Sequence, residues 1–353
     1  NILIRINLSA FFINDNYIFS GMEVEAYLNG ILPRSELALN LGSAWLKGRE
    51  TLESYHKVLE KETKELIELQ KNLDLNYIFD GQLFWDDLLR PIASALQLHT
   101  EGSNANENAV TRQIYTNTFY RKPLILKKLE KAKKPLNDDR FLDSIPRGKR
   151  KVILPSPFAL AYLSSGIHKN EDGTIKNDAF IEVLFDIAKV LNNEIKRLER
   201  EKNVSFIQFN EPCMCYAEET KDFFHNIVKS LQIATENVKV ITSLHLYNGD
   251  ASKFLPDIAK YPVARIGVDA YNTDLSKLSG GKFDKFLELG VVNSKNSLIE
   301  EPEKLAKYAK QAIEKINPQG LALVPNRPSE LVPREIAKKK IEILAKAKEL
   351  LNQ

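Results

Sequence analysis

The stretch VSFIQFNEP, residues 204–212, passes from an apolar run directly into two polar residues, Asn210 and Glu211. Outside this stretch, short apolar runs occur at residues 152–154, 238–245, 264–268, 286–292 and 321–324. Helical patterns separate most of these runs, at residues 178–200, 303–316 and 333–351. Strands that alternate with helices are typical of a parallel sheet, because each helix returns the chain to the start of the next strand.

Two further apolar runs, at residues 23–28 and 77–79, lie upstream of this region, and an amphipathic helix is expected between them at residues 49–73. The resulting count of about eight strands predicts an α/β fold, with one (β/α)8 TIM-type barrel at residues 22–353. An open doubly wound sheet is the alternative. No glycine fingerprint for a dinucleotide or a phosphate follows any expected strand, which speaks against that alternative.

Two segments fall outside the barrel pattern. Residues 1–21 hold apolar runs around the polar stretch NDN at 14–16, which predicts an N-terminal β-hairpin extension. Residues 101–150 are polar and then basic, with prolines at 123, 135 and 146, which predicts an irregular insertion.

The composition limits the kinds of partner. Fifty basic and 47 acidic residues give a net charge of +3, so no strong global field is expected. Aromatic stacking platforms and a basic excess are both missing, which makes nucleic acid an unlikely class of ligand. No uncharged apolar stretch of about 18 residues is found, so no membrane span is expected. The two cysteines make no disulfide framework, and we therefore predict a cytoplasmic location.

Polar residues stand where several of the expected strands end. In a barrel, the carboxyl ends of all strands meet at one face, which is where active sites lie. The candidates are Asp80, Asn210, Glu211, His245, Asp269, Asn293, Asn326 and Arg327. The structural alternative stays open for each one, because most strands end in polar residues that simply face solvent.

Two other features have both a functional and a structural interpretation. Cys213 and Cys215, with His245 and Asp269, could hold zinc, but one Cys-x-Cys pair is equally typical of buried, unreactive thiols. The basic run at residues 146–151, with Arg112, Arg121 and Lys122 before it, could bind an anionic tail. It could equally be a solvated loop.

Several motifs together resemble the cobalamin-independent methionine synthase family. They are ILPRSEL (31–37) with AWLKG (44–48), TR (111–112) with TNTFY (116–120), QFNEP (208–212), LGVVNSKN (289–296) and SELVP (329–333). These matches span residues 22–345 and are most similar to the N-terminal barrel of that family.

The departures from the family pattern concern zinc. The resemblance implies that the family's catalytic barrel binds zinc through a His-x-Cys pair, an acidic residue and a later Cys. That zinc would lower the thiol pKa of homocysteine for attack on a methyl-folate or methyl-pterin. Here His245 and Asp269 are present, but Tyr247 replaces the paired Cys and Arg327 stands near the last one. The resemblance therefore implies that this chain binds no zinc or other cofactor of its own.

The resemblance also implies substrate-binding residues. In the family, the N-terminal barrel helps to bind the glutamate tail of methyl-folate. Arg112 stands in the place of a tail-binding Lys, and Glu36 is kept in the tail-binding element, with Arg34 beside it. The other substrate-binding candidates are Asn117, Asp80, Asn210 and Arg327, and the catalytic candidates are Glu211, His245 and Asp269.

Three functions follow, in this order of preference. The first is the non-zinc subunit of a split methionine synthase, which binds a folate or pterin methyl donor and a separately encoded zinc-containing barrel. The second is a self-sufficient methyltransferase that uses Glu211, His245 and Asp269, with Cys213 or Cys215. The third is a pterin-binding or scaffold barrel without catalysis, since a fold does not dictate a function.

Overall fold

The computed structural model of the chain describes residues 22–100, 111–112, 119–130, 132, 134–278 and 283–353. The predicted hairpin at residues 1–21 lies outside these residues, as does much of the predicted insertion. The division into an extension at 1–21 and a barrel at 22–353 therefore stays a prediction.

Twelve strands are found in the described part of the chain. They are β1 (Val24–Ala26), β2 (His99–Thr100), β3 (Thr111–Arg112), β4 (Phe119–Tyr120), β5 (Pro123–Ile125), β6 (Lys151–Pro155), β7 (Ser165–Gly166), β8 (Phe206–Glu211), β9 (Ile241–Leu246), β10 (Arg265–Asp269), β11 (Phe286–Val292) and β12 (Gly320–Pro325).

Along the chain, most of the helices lie between successive strands of one large sheet. They are α1 (Glu36–Leu46), α2 (Leu52–Asn72), α3 (Arg90–Ala95), α4 (Pro157–Tyr162), α5 (Asn177–Lys202), α6 (Thr220–Ala234), α7 (Pro302–Ile316) and α8 (Arg334–Asn352), with short 3-10 turns at Leu142–Ser144, Leu255–Lys260 and Leu275–Leu278. The helices predicted at 49–73, 178–200, 303–316 and 333–351 are confirmed, with ends that differ by a few residues. No helix in the described ranges combines the length and the apolar character that a membrane crossing requires.

Seven strands form one parallel sheet in the order β1-β12-β11-β10-β9-β8-β6. The sheet curls strongly, because its two edge strands approach each other: the Nζ atom of Lys151 in β6 donates to the carbonyl oxygen of Leu28, just after β1, at 2.7 Å. This confirms the predicted α/β class, as a curled seven-stranded parallel sheet.

The run at residues 77–79, predicted as an eighth strand, makes too few ladder bonds to count as one. Ile78 forms a single parallel bridge with Arg150, beside β6. The backbone N–H of Asn76 donates to the carbonyl oxygen of Ala26 in β1 at 3.0 Å. The segment thus lies between the two edge strands and is hydrogen-bonded on both sides.

A small cluster of aromatic and aliphatic side chains is buried beside the strands of the curled sheet. Tyr27, Phe206, Ala322 and Val324 form a buried cluster there. The guanidinium of Arg265 lies 3.9 Å from the ring centroid of Phe286 and pairs with Glu25. Arg265 and Glu25 are thus packed beside aromatic rings inside the sheet, apart from the polar residues at the carboxyl ends of the strands.

The described part of the insertion is more regular than predicted. Strands β2, β5 and β7 form a small mixed sheet, and β3 pairs with β4 in an antiparallel ladder. These strands are two or three residues long. Such short pairings depend on contacts between distant residues, so no local alternation reveals them.

Candidate functional site at the carboxyl ends of the strands

The carboxyl ends of β8, β9, β10 and β12 bring most of the predicted site residues together. The Nδ2 atom of Asn326 donates to Asp269 at 3.2 Å, and the carbonyl oxygen of Asn326 lies 3.1 Å from Nε2 of His245. Asn210 pairs in register with His245 on the neighbouring strand. Glu211, His245, Asp269, Asn210 and Asn326 are fully buried, and Arg327 is 3% exposed. The predicted set therefore assembles, in a buried position.

Asp269 is committed to the loop that follows its own strand. Its carboxylate accepts from the backbone N–H of Tyr271 at 3.0 Å, from Nδ2 of Asn272 at 2.5 Å, and from Asn326. Three donors occupy most of its acceptor positions. In this arrangement Asp269 stabilises the turn after β10, which corresponds to the structural alternative considered for the strand-end residues.

Glu211 is held in a similar way. Its Oε1 atom accepts from the backbone N–H groups of Cys213 and Met214 at 2.7 and 2.9 Å, and its Oε2 atom accepts from the hydroxyl of Ser156. Burial raises the pKa of Glu211 to about 7, although these hydrogen bonds act in the opposite direction. The side chain thus has the pKa of a group able to exchange a proton near neutral pH.

This pKa predicts a pH-dependent stability that Glu211→Gln removes. Because the pKa in the folded state lies above its ordinary value of 4.5, the proton favours the folded state. The stabilisation is fully present below pH 4.5 and is lost as the pH rises through about 7. From the acidic to the alkaline end of this pH range, we expect the free energy of unfolding of the wild type to fall by about 3 kcal/mol relative to that of Glu211→Gln.

Denaturant unfolding of both proteins across this pH range measures the difference. Asp80 and Lys151 also titrate abnormally, but they are present in both proteins and cancel in the comparison. A constant difference between wild type and variant would show that Glu211 does not titrate in this range.

His245 faces groups inside the sheet with both ring nitrogens. Its Nε2 atom lies 2.8 Å from Nδ2 of Asn29 and close to the carbonyl oxygen of Asn326. Its Nδ1 atom lies 3.7 Å from Oε2 of Glu288. The ring is therefore part of an internal polar network.

Three members of this network were not among the predicted site residues. The backbone oxygen of Asn29 accepts from Gln208 at 3.2 Å and from Asn210 at 3.1 Å, and Glu288 faces His245. Asn29 follows the first apolar run, so the strand-end rule could have found it. Glu288 and Gln208 are polar residues inside otherwise apolar strands, which is the signal that was missed.

The two cysteines lie in the turn after β8 and are buried and unpaired with each other. Burial raises the pKa of both thiols, and the nearby Glu211 carboxyl raises each further. The Sγ atom of Cys213 lies 3.3 Å from the hydroxyl of Tyr216. Thiols held in the protonated form are poor nucleophiles and poor metal ligands.

The residues at this position do not fit the zinc site of a catalytic barrel. Nε2 of His245 and both carboxylate oxygens of Asp269 have hydrogen-bonding partners within the protein, Nδ1 of His245 faces the Glu288 carboxyl at 3.7 Å, and the buried Tyr247 and Arg327 follow these strands. Within the described residues, no three His, Cys, Asp or Glu side chains are grouped to hold a metal ion, so Cys213, Cys215 and His245 do not form such a set. That this chain binds no zinc stays a prediction, to be decided by metal analysis of the purified protein.

The residues expected to bind an acidic tail are scattered. Arg34 donates to the carbonyl oxygens of Leu83 at 2.7 Å and Trp85 at 3.0 Å, and it pairs with Asp86. Glu36 lies in the exposed first turn of α1. The backbone of Arg112 belongs to β3, and Asn117 lies outside the described residues.

Asp80 follows the segment that links β1 to β6. Its Oδ1 atom accepts from the backbone N–H of Gln82 at 2.9 Å. Burial raises the pKa of Asp80 to about 6, with a smaller contribution from Asp138. Among the acidic candidates at the strand ends, Asp80 keeps partial solvent exposure, whereas Glu211 and Asp269 have none.

A set of apolar side chains is exposed near the carboxyl ends of β1, β12 and β11, which are neighbours in the sheet. We call it the edge patch, and its members and exposed fractions are Leu37 (58%), Leu39 (56%), Leu46 (75%), Leu298 (69%), Ile299 (45%) and Leu331 (39%). Three members lie on α1, and the other three lie in the loops after β11 and β12. Ser329 joins the loops after β1, β11 and β12, because it bonds to the carbonyl oxygen of Ile31 and to the hydroxyl of Ser294, both at 2.9 Å. Exposed apolar side chains that form one contiguous area mark an interaction surface, whereas single ones are normal on any protein.

The curled parallel sheet and its buried strand-end residues define an α/β protein of the barrel-like class. Residues 100–317 match the family model described as cobalamin-independent synthase, N-terminal domain. This match covers more than half of the chain, so the chain belongs to that family. The predicted resemblance is confirmed.

Two relatives are similar to this chain over about two thirds of its length. The methionine synthase of Sulfurisphaera tokodaii is 29% identical over 68% of this chain and 69% of its own length. The methionine synthase of Thermococcus kodakarensis is also 29% identical, over the same shares.

Solved structures share the fold. A B12-independent methionine synthase from Shewanella sp. W3-18-1, in complex with selenomethionine, has a TM-score of 0.67 at 16% identity, covering 94% of this chain and 98% of that one. A putative vitamin-B12 independent methionine synthase from Listeria monocytogenes has a TM-score of 0.68 at 15% identity, covering 92% and 98%. At these identities the likeness concerns the fold alone.

Proposed function

We propose that this chain is the non-zinc subunit of a two-part enzyme that transfers a methyl group from a folate or pterin donor to homocysteine, in methionine biosynthesis. The observation that carries the proposal is the orientation of His245. In a family whose catalytic barrel uses a histidine for zinc, this ring faces Asn29, Asn326 and Glu288 with its two nitrogens. A chain arranged in this way needs a second chain to activate the thiol of homocysteine.

The edge patch supports the existence of such a partner. Helix α1, which carries half of it, holds a single charged residue, Glu36, among its 11 residues. An exposed helix of this composition favours association with another apolar surface. The proposed partner is a separately encoded, zinc-containing barrel of the same family, and both chains would work in the cytoplasm.

The role proposed for this chain is to bind the methyl donor. Arg34 is engaged with Leu83, Trp85 and Asp86, which leaves Arg112 as the better candidate for the donor's acidic tail. A guanidinium suits a carboxylate because it donates two parallel hydrogen bonds. We also propose that residues 76–79 close the curled sheet into an eight-stranded barrel, a closure supported by their bonds to Ala26 and Arg150.

A self-sufficient methyltransferase is the second candidate, and Glu211 is the observation in its favour. A carboxyl group with a pKa of about 7 is able to protonate the nitrogen that leaves a methyl donor. The reaction also needs a thiolate acceptor, however, and the residues beside Glu211 offer no means of forming one.

The proposal predicts that the purified chain alone transfers no methyl group to homocysteine but forms a complex with the zinc-containing barrel from the same cell. Calorimetry with that partner measures the complex, and methionine formation measures activity. Transfer by the isolated chain would favour the self-sufficient enzyme. Binding of neither the partner nor a methyl-folate or methyl-pterin would favour the scaffold.

The edge patch provides a matched pair of variants for this experiment. Leu46→Asp places a charge on the patch, and we expect it to weaken the complex about tenfold or more, which is about 1.4 kcal/mol. Leu126→Asp is the control, because Leu126 is 57% exposed but lies next to the small β2-β5-β7 sheet. Equal weakening by the two substitutions would exclude the edge patch as the docking surface.

A further inference from the structure

His245 and Glu288 meet across an intervening strand. They lie on β9 and β11, and Gly267 of β10 is in register with both. Strands two positions apart are separated by about 10 Å, so a side chain between them normally keeps such residues apart. A Cβ atom at Gly267 would lie 2.0 Å from Nδ1 of His245 and 2.7 Å from Oε2 of Glu288. The missing side chain is therefore what lets the imidazole and the carboxyl group approach each other.

Glu288 is a buried carboxylate with one hydrogen-bond donor, and its Oε2 atom, which faces Nδ1 of His245 at 3.7 Å, has no hydrogen-bond partner among the described residues. Its Oε1 atom accepts from the hydroxyl of Tyr27 at 3.0 Å. Burial alone would raise the pKa of Glu288, but His245 and the positive charges of Lys151 and Arg265 hold it below its usual range. A carboxylate accepts hydrogen bonds and donates none. The atom that faces it, Nδ1 of His245, is stabilised when it carries a proton.

The other ring nitrogen has two neighbours that require opposite protonation states. The Nδ2 group of Asn29, at 2.8 Å, donates and needs a lone pair on Nε2. The carbonyl oxygen of Asn326, at 3.1 Å, accepts and needs a proton on Nε2. Whether Nε2 carries a proton decides which of these two contacts is a hydrogen bond.

We propose that Glu288 is a positioning residue, which keeps the proton of His245 on Nδ1 and leaves Nε2 as the acceptor of the Asn29 amide. Gly267 makes this possible by leaving room between the two strands. This proposal concerns the isolated chain and does not depend on the proposed function.

The same arrangement fixes the orientation of the Asn29 side chain. With Nδ2 directed at His245 and at the carbonyl oxygen of Pro325, the Oδ1 atom is a buried acceptor without a partner among the described residues. An unpartnered buried acceptor costs about 1–3 kcal/mol. A ligand group that reaches Asn29 must therefore be a hydrogen-bond donor, such as an N–H or O–H group.

A long-range proton–nitrogen correlation spectrum of the isotope-labelled full chain tests the proposal. The chain has five histidines, so the spectrum of His245→Gln identifies the signals of His245 by their loss. We expect a proton on Nδ1 and none on Nε2 in the wild type. A proton on Nε2, alone or together with one on Nδ1, would overturn the proposal.

Two variants test the part played by Glu288. In Glu288→Gln, we expect the share of molecules with the proton on Nδ1 to fall, since the carboxylate is gone. Asn29→Asp should instead draw the proton to Nε2, because it replaces the donor there with an acceptor. An unchanged tautomer in Glu288→Gln would show that Glu288 does not position the ring. If that variant fails to fold, the wild-type spectrum still decides where the proton lies.

Discussion

Gly267→Ala is expected to lower the free energy of unfolding by about 2–5 kcal/mol. The new methyl group would stand 2.0 Å from Nδ1 of His245, so this fully buried ring would have to shift. Displacement of this ring also breaks its contact with Asn29, and so leaves buried polar groups without partners. Chemical denaturation of the purified variant measures the loss.

A double-mutant cycle separates the clash from other effects of the alanine. In a His245→Ala background the ring is absent, so Gly267→Ala is expected to cost less than about 1 kcal/mol there. An equally large loss in both backgrounds would mean that His245 is not the residue that Gly267 accommodates.

Arg334→Met is expected to destabilise the protein by about 3–5 kcal/mol. Arg334 begins α8 and pairs with Glu62 of α2 at 3.1 Å, and the two side chains are 7% and 8% exposed. The guanidinium also donates to the carbonyl oxygen of Pro33 at 3.1 Å. Its removal leaves the Glu62 carboxylate as a buried charge without its cation, which is more costly than the loss of an exposed pair.

Lys338→Met is the matched control, one turn further along the same helix. Lys338 pairs with Glu335 at 3.2 Å, but the two side chains are 33% and 75% exposed, so we expect a loss below about 0.5 kcal/mol. The double variant Arg334→Met with Glu62→Met should recover much of the stability, because it leaves no unpaired charge. Similar losses for Arg334→Met and Lys338→Met would contradict the role given to burial.

The large elements of the fold could be predicted because each has its own periodic signal. Strands such as β8 are short apolar runs, and helices such as α5 have an apolar face, so both are visible without knowledge of their neighbours. Residues 76–79 differ from these, since their single bridge depends on where β1 and β6 end. The small strands of the insertion depend in the same way on pairing between distant segments.

The location of the candidate site could also be predicted, but the tasks of its side chains could not. The strand-end rule finds Glu211 and Asp269, and both lie at the carboxyl ends as expected. Their carboxylates, however, accept N–H groups from the loops that follow, and those loop conformations have no sequence signature. Arg34 was expected to contact a ligand, yet its guanidinium donates to the carbonyl oxygens of Leu83 and Trp85. The conformation of the loop that presents these oxygens likewise has no sequence signature.

The apolar surface of α1 has a consequence for the chain in isolation. Water is a poor solvent for the exposed apolar side chains of α1, whose only ionic group is Glu36, so we expect copies of the chain to associate through them. The extent of such self-association rises with protein concentration. The sedimentation coefficient should therefore increase when the protein is concentrated and return to its former value when it is diluted.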